Sequence, residues 1–215
     1  MLRAALIALC LVPRPATACE VALVLAMDVS GSVDASEYRL QVDGLAAALA
    51  DPTLREVLVQ GQVALTVTQW SGQDAQAVVV PWRRMLSDRD VAQLATTVRG
   101  LARAFAVSDT AVGAALTHAL AQFAAVPDCK RRVVDMSGDG DENVGFTIGR
   151  ARTAAQAAGV EVNGLAVESM GLSITNFYRA WVITKGGFVE TARGHLDYAR
   201  AIRAKMLREL TKPSG

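Results

Sequence analysis

The sequence predicts an α/β protein: a single doubly wound, mostly parallel sheet of six strands with helices on both faces. Three observations carry that prediction. Short β-rich apolar runs alternate along the chain with stretches at helical spacing, the order that builds parallel sheets from strand–helix–strand units. The first run, Val21-Ala22-Leu23-Val24-Leu25-Ala26-Met27, has no polar interruption, which suits a strand covered on both faces. Two acidic residues, Asp28 and Asp139, fall close behind such runs, at the strand ends where open α/β sheets bind ligands.

Taken in order, residues 21–27 read as the first strand. Residues 34–50 carry apolar side chains at helical spacing (Leu40, Leu45, Ala48, Leu49), and Pro52 is read as stopping that helix. Residues 62–70 and 77–82 read as the second and third strands. Pro81 has no N–H to give a ladder, so the third run belongs at a sheet edge. Ser87 caps a helix reaching about Ala104, with Asp90 completing a capping-box-like start. A further helix covers residues 111–124. Residues 131–136 read as the fourth strand, 147–158 as a helix ended by Gly159, and 160–167 as the fifth strand. Residues 174–183 read as helical, 187–191 as a short last strand and 196–210 as a closing helix.

Residues 1–18 read as an export signal, with Arg3 as the positive start, an apolar stretch from Ala4 to Val12, and Ala16-Thr17-Ala18 as a small-residue cleavage site. That stretch is too short to span a bilayer, and no later segment offers about 20 unbroken apolar residues. The mature chain is therefore expected to be soluble and either periplasmic or secreted. Cleavage after Ala18 would expose Cys19, so a lipid anchor on Cys19 is the alternative. Against it, a strand begins almost at once and leaves little slack chain.

Residues 19–211 read as one domain and 212–215 as a free tail. Of 215 residues, 52% are apolar and 20% charged, a globular balance in a chain long enough to bury a sizeable core. A formal charge of +1 with no basic block gives no sign of a nucleic-acid or anionic-membrane partner, and none is expected. Beyond the signal only Cys19 and Cys129 remain, each nine or ten residues ahead of Asp28 or Asp139. If those acids meet at one end of neighbouring parallel strands, the cysteines meet at the other. A disulfide is then geometrically open, and export makes it chemically permissible. Two unrelated thiols are the alternative.

The most informative motif is Asp28-Val29-Ser30-Gly31-Ser32. A carboxylate and two hydroxyls at alternate positions, thrown onto a turn by Gly31, can converge on one hard cation. Mg²⁺ prefers octahedral oxygen ligands and retains water, so few charged groups suffice to hold it. Two neutral hydroxyls beside one carboxylate would leave the metal electron-poor and ready to accept a carboxylate from another molecule. The competing reading is a turn whose Asp and Ser side chains cap nearby amides.

With these residues in view, the chain resembles the von Willebrand factor type A domain, whose Asp-x-Ser-x-Ser motif opens a metal-ion-dependent adhesion site. Thr110, in Asp109-Thr110-Ala111-Val112-Gly113, looks like the family's later threonine, and Asp139, in Ser137-Gly138-Asp139-Gly140, like its aspartate. The resemblance spans nearly all of the mature chain and implies an antiparallel edge strand in a Rossmann-like sheet. Val133-Val134-Asp135-Met136-Ser137-Gly138-Asp139-Gly140 and Asn176-Phe177-Tyr178-Arg179 before Gly186-Gly187-Phe188-Val189 are closest to a group of exported bacterial proteins of this type, for which the resemblance names no ligand. It implies that Ser30, Ser32 and Thr110 touch the metal while Asp28 and Asp139 act largely through bound waters. The metal would be Mg²⁺ or Mn²⁺, with Ca²⁺ less suited, and a partner protein's Asp or Glu would take the open position.

The chain departs from the family pattern in two places. Gly138 stands where the family's strand ends in Thr before Asp-Gly. Asp135 lies in a central strand, where a buried carboxylate needs partners; the readings open to it are acceptor for Ser30, acceptor for a strand-end amide, or partner of an arginine. Asp141 and Glu142 either favour a cation or form a solvated turn. Trp70, Ser71 and Glu168 end strands on the same side and either rim the site or pack. Tyr178 and Trp181 read as core.

No catalytic residue is assigned. Ser30 lacks a nucleophile elbow, and only His118 and His195 could serve as a base, the first in an alanine-rich helix and the second at a helix start. The sequence thus points to an exported, divalent-metal-dependent binding domain. The alternatives are a metal-dependent phosphate-ester hydrolase and a structural envelope module.

Overall fold

A computed structural model describes residues 19–105 and 109–212. The expected export signal over residues 1–18 lies outside the described residues, as do residues 213–215 of the expected tail.

Six strands form one sheet: β1 (Val21–Asp28), β2 (Ala64–Trp70), β3 (Gln76–Arg84), β4 (Arg131–Gly138), β5 (Glu161–Glu168) and β6 (Val189–Arg193). Their order is β3-β2-β1-β4-β5-β6. β3 runs antiparallel to β2 at the edge, and the other neighbours pair in parallel. Strand order therefore reverses between β1 and β4, the place where such sheets open a ligand crevice beyond their strand ends.

Seven α-helices among the described residues cover the sheet: α1 (Ala35–Ala50), α2 (Pro52–Gln60), α3 (Asp88–Arg99), α4 (Val112–Gln122), α5 (Ile148–Ala157), α6 (Ser173–Phe177) and α7 (Tyr198–Thr211). The strand period of two splits β1 between two cores. Val21, Leu23, Leu25 and Met27 pack with Leu45 and Leu49 of α1, Leu54 of α2, Leu94 of α3 and Ile202 of α7. Ala22, Val24 and Ala26 pack with Leu116 of α4, Ala155 of α5 and Tyr178. Large side chains on one face and small ones on the other let α4 and α5 approach closely. A Cβ on Gly113 would lie 2.4 Å from the backbone of Thr147 and Ile148, so only glycine fits that crossing.

Several expectations are corrected. Pro52 starts a helix instead of merely stopping one. It sits at the first turn of α2, where its missing N–H costs nothing, and Asp51 caps that turn by accepting from the Leu54 N–H at 3.0 Å. α3 ends at Arg99, not near Ala104, because Gly100 closes it and the Ala104 N–H donates to Gln69 Oε1 at 2.7 Å. α6 is short and continues into a π turn over Tyr178–Val182. Tyr178 is core, but Trp181 is 55% exposed. Lys212 is not free: its Nζ reaches Glu161 Oε2 at 2.8 Å.

At the amino ends of β1 and β4, Cys19 and Cys129 form a disulfide with Cα atoms 4.5 Å apart. The acids lie at the opposite end of the same two strands, as the residue spacing predicts.

Candidate metal centre

Asp28 closes β1 fully buried. Its Oδ1 accepts the Ser30 N–H at 2.7 Å, an Asx-type bond that bends the chain off the sheet. The Val29 N–H donates to the Trp70 carbonyl at 2.9 Å. Arg103 clamps the same loop, its guanidinium donating to the Val29 carbonyl at 3.1 and 2.8 Å and to the Ser30 carbonyl at 2.6 Å. Asp34 and Glu37 then form a capping box that starts α1. The first motif is thus fixed at both ends before any cation is considered.

Thr110 is held from two sides. Its N–H donates to Asn143 Oδ1 at 2.8 Å, and its carbonyl accepts the Asn143 N–H at 3.0 Å. Ser71 fixes the flanks: its Oγ donates to the Asp109 carbonyl at 3.0 Å, and its carbonyl accepts the Ala111 N–H at 2.9 Å. Glu142 is buried, and its two oxygens accept the Gly113 N–H at 2.8 Å and the Ile148 N–H at 3.1 Å. One carboxylate therefore caps both α4 and α5, where the helix dipoles favour negative charge. Glu142 is neither a solvated turn nor a cation ligand.

These loops bring the motif residues together. The Ser32 hydroxyl donates to Asp139 Oδ1 at 2.5 Å, Ser30 Oγ and Ser32 Oγ are 3.1 Å apart, and Thr110 Oγ1 donates to Ser30 Oγ at 3.4 Å. Neighbouring oxygens in an octahedral shell with 2.0–2.1 Å metal bonds lie about 2.9 Å apart. The three hydroxyl oxygens, from two loops, already have nearly that spacing, Asp139 Oδ1 meets Ser32 from a third loop, and Asp28 Oδ2 is buried without a hydrogen-bond partner among the described residues. A buried, unpartnered carboxylate oxygen beside three hydroxyls and a second carboxylate fits a hydrated hard cation.

Electrostatics agree with that fit. Burial, with Asp139 adding repulsion, pushes the Asp28 carboxyl up to about 7 although the bonds from Ser30 pull it down. Desolvation likewise holds the Tyr178 phenol well above its usual range, reinforced by Asp28. A divalent charge would relieve both acids at once.

The remaining sequence candidates divide differently. Asp135 takes none of its three anticipated partners: its Oδ1 pairs with Lys205 of α7 at 2.8 Å, both side chains buried. Trp70 is packed, its Nε1 donating to the Ala26 carbonyl at 3.1 Å, and does not rim the site. Glu168 is turned to the start of α6, accepting the Thr175 N–H at 2.7 Å. Arg103 and Asn143 are not legible as site residues in the sequence, because each acts on backbone and carries no motif of its own; Tyr178 reads there as core, and only the fold brings its hydroxyl to the end of β4. Large apolar side chains stand exposed on all three loops leaving β4, β5 and β6: Phe146, Met170 with Leu172, and Leu196. Phe146 holds that position with a positive φ of 49°, an uncommon conformation for an aromatic residue.

The fold is shared with solved structures of low sequence identity. Proximal thread matrix protein 1 from the mussel byssus, with a zinc-occupied MIDAS motif, superposes with a TM-score of 0.68 at 16% identity, over 88% of this chain and 48% of that one. A von Willebrand factor type A protein from Catenulispora acidiphila gives 0.63 at 18% identity over 91% and 44%. Manganese-loaded TRAP protein of Plasmodium vivax gives 0.58 at 16% identity over 91% and 73%. The chain thus spans about half the length of the first two. No curated protein matches it. A family model described as "Protein of unknown function (DUF1194)" matches residues 18–214. The chain belongs to that family, and its fold is the von Willebrand factor type A fold.

Proposed function

We propose that this chain is an exported binding domain that holds Mg²⁺ or Mn²⁺ beyond β1 and β4 and captures a carboxylate of a partner protein. Ser30, Ser32 and Thr110 are the direct ligands, and Asp28 and Asp139 act through waters in the metal's shell. The observation that carries the reading is the row of oxygens from Thr110 through Ser30 and Ser32 to Asp139, with the orphaned Asp28 Oδ2 beside it. Three neutral ligands leave the cation with charge to offer a partner's Asp or Glu, and the exposed apolar side chains on the neighbouring loops offer that partner contact area. Zinc and manganese at two similar structures support a divalent ion of this size class.

A hydrolase reading has less support. His118 lies against Gln122 on α4, His195 meets Glu37 and Gln41, and among the described residues no hydrogen bond joins either histidine to Ser30, the contact a nucleophile's base would make. Export is supported by the disulfide and by the signal-like residues 1–18. Among the described residues no helix is long and apolar enough to cross a membrane.

The test is a peptide array displaying Asp or Glu flanked by apolar residues, probed with the purified chain in Mn²⁺. Capture that is lost in chelator, and lost when the array's acid becomes Asn or Gln, is the expected result. Capture that survives chelator contradicts the mechanism.

A further inference from the structure

Beside the candidate centre, three side chains from separate elements converge. Glu37 in the first turn of α1, Asp139 after β4, and His195 just ahead of α7 each offer a ligand atom, and the three atoms lie within 4.8 Å of one another. His195 Nδ1 is 3.2 Å from Glu37 Oε1, close to the separation of two ligands on one ion. Asp139 already meets Ser32 through Oδ1, and a carboxylate has a second oxygen to give. Glu37 and Asp139 are part-exposed, leaving room for water to complete a shell.

A second, independent observation concerns the far side of the imidazole. Gln41 is 1% exposed; its amide nitrogen lies 3.4 Å from His195 Nε2, and its Oε1 has no hydrogen-bond partner among the described residues. Turning that amide over places Oε1 against Nε2, where it accepts the ring N–H and ceases to be an orphan. The proton is then fixed on Nε2, and the lone pair of Nδ1 points at Glu37 and Asp139. Histidines that bind metals are oriented in this way, by a carbonyl or carboxylate on the other ring nitrogen.

We infer that Glu37, Asp139 and His195 form a second divalent-cation site, sharing Asp139 with the first and selective for a Zn²⁺-class ion. One imidazole and two carboxylates suit Zn²⁺ or Co²⁺ better than Mg²⁺, which prefers oxygen ligands alone. Gln41 is a positioning residue. The site joins the start of α1 and the start of α7 to the residue that ends β4, so its ion would tie the last helix to the adhesion centre.

The test is titration of Zn²⁺ and Co²⁺ into the metal-stripped protein, its Ser30→Ala/Ser32→Ala double variant, His195→Ala and Gln41→Leu, with thermal melts to confirm folding. The double variant should retain one Zn²⁺ equivalent, and its Co²⁺ form should show a visible band that His195→Ala removes. His195→Ala should still bind Mg²⁺ at the first centre, and Gln41→Leu should weaken Zn²⁺ about 10–100-fold. Where His195→Ala does not fold, His195→Gln serves in its place. Loss of all Zn²⁺ binding in the double variant, or an unchanged Zn²⁺ equivalent in the His195 variant, overturns the second site. Neither result bears on Mg²⁺ at the first.

Discussion

A Cβ on Gly138 would lie 2.6 Å from the hydroxyl oxygen of Tyr178. The same missing atom would sit 2.8 Å from Asp28 Oδ2. The space left by a glycine at the end of β4 is thus bounded by a buried phenol brought in from beyond α6. Gly138→Ala should cost about 1–3 kcal/mol through overpacking. Tyr178→Phe removes a hydroxyl that has no hydrogen-bond partner among the described residues and should change stability by less than about 1 kcal/mol. The double variant should recover much of the glycine variant's loss, which chemical denaturation reads directly. Strictly additive losses would mean that the two positions do not share that space.

Lys205 of α7 lies between Asp135, at 2.8 Å, and Glu209, at 2.5 Å, with all three side chains buried. One ammonium faces two carboxyls, and burial raises both, Glu209 to about 7. The folded state therefore holds more protons than the unfolded one between the ordinary carboxylate range and about pH 7. Stability falls as pH rises through that window and levels off above it. The thermal midpoint should drop from pH 5 to pH 8, and Glu209→Gln, which keeps an acceptor for Asn163 and Lys205, should flatten the slope. Lys205→Met should cost on the order of 3–5 kcal/mol at pH 8 and less at pH 5.

Arg103 touches no candidate ligand side chain, yet it grips the carbonyls of Val29 and Ser30. Arg103→Ala should lower divalent affinity roughly tenfold through a loosened loop, with about 1–3 kcal/mol of stability lost. Calorimetric titration beside a thermal melt separates the two effects.

The disulfide joins residues 110 apart in sequence and lies at the end of the sheet remote from the candidate metal centre. Cys19→Ser/Cys129→Ser should lose about 2–5 kcal/mol while keeping divalent affinity. A loss of metal binding in a variant that still melts cooperatively would show the two ends to be coupled.

The sheet was legible because unbroken apolar runs and Pro81 report burial and edge position directly. The proposed donor set could be drawn up from the sequence because Asp28, Ser30 and Ser32 are close together there and Thr110 and Asp139 sit in recognisable surroundings. Asp135 was legible only as an anomaly: its partner Lys205 lies on a helix 70 residues later, and no local spacing announces a buried pair. Glu142 looked like a surface acid because its partners are backbone amides of two helices that meet only in the fold. Pro52 misled because the same residue marks a helix end and a helix beginning, and Asp51 as a cap decides between them.

The central claim is tested most directly by calorimetric titration of Mg²⁺ and Mn²⁺ into the metal-stripped protein beside Ser30→Ala/Ser32→Ala. Saturable one-site binding by the wild type, absent from a double variant with an unchanged melting temperature, is the predicted result. Equal Mg²⁺ binding by both proteins would contradict it, because the row of hydroxyls from Thr110 to Asp139 would then not be what holds the ion.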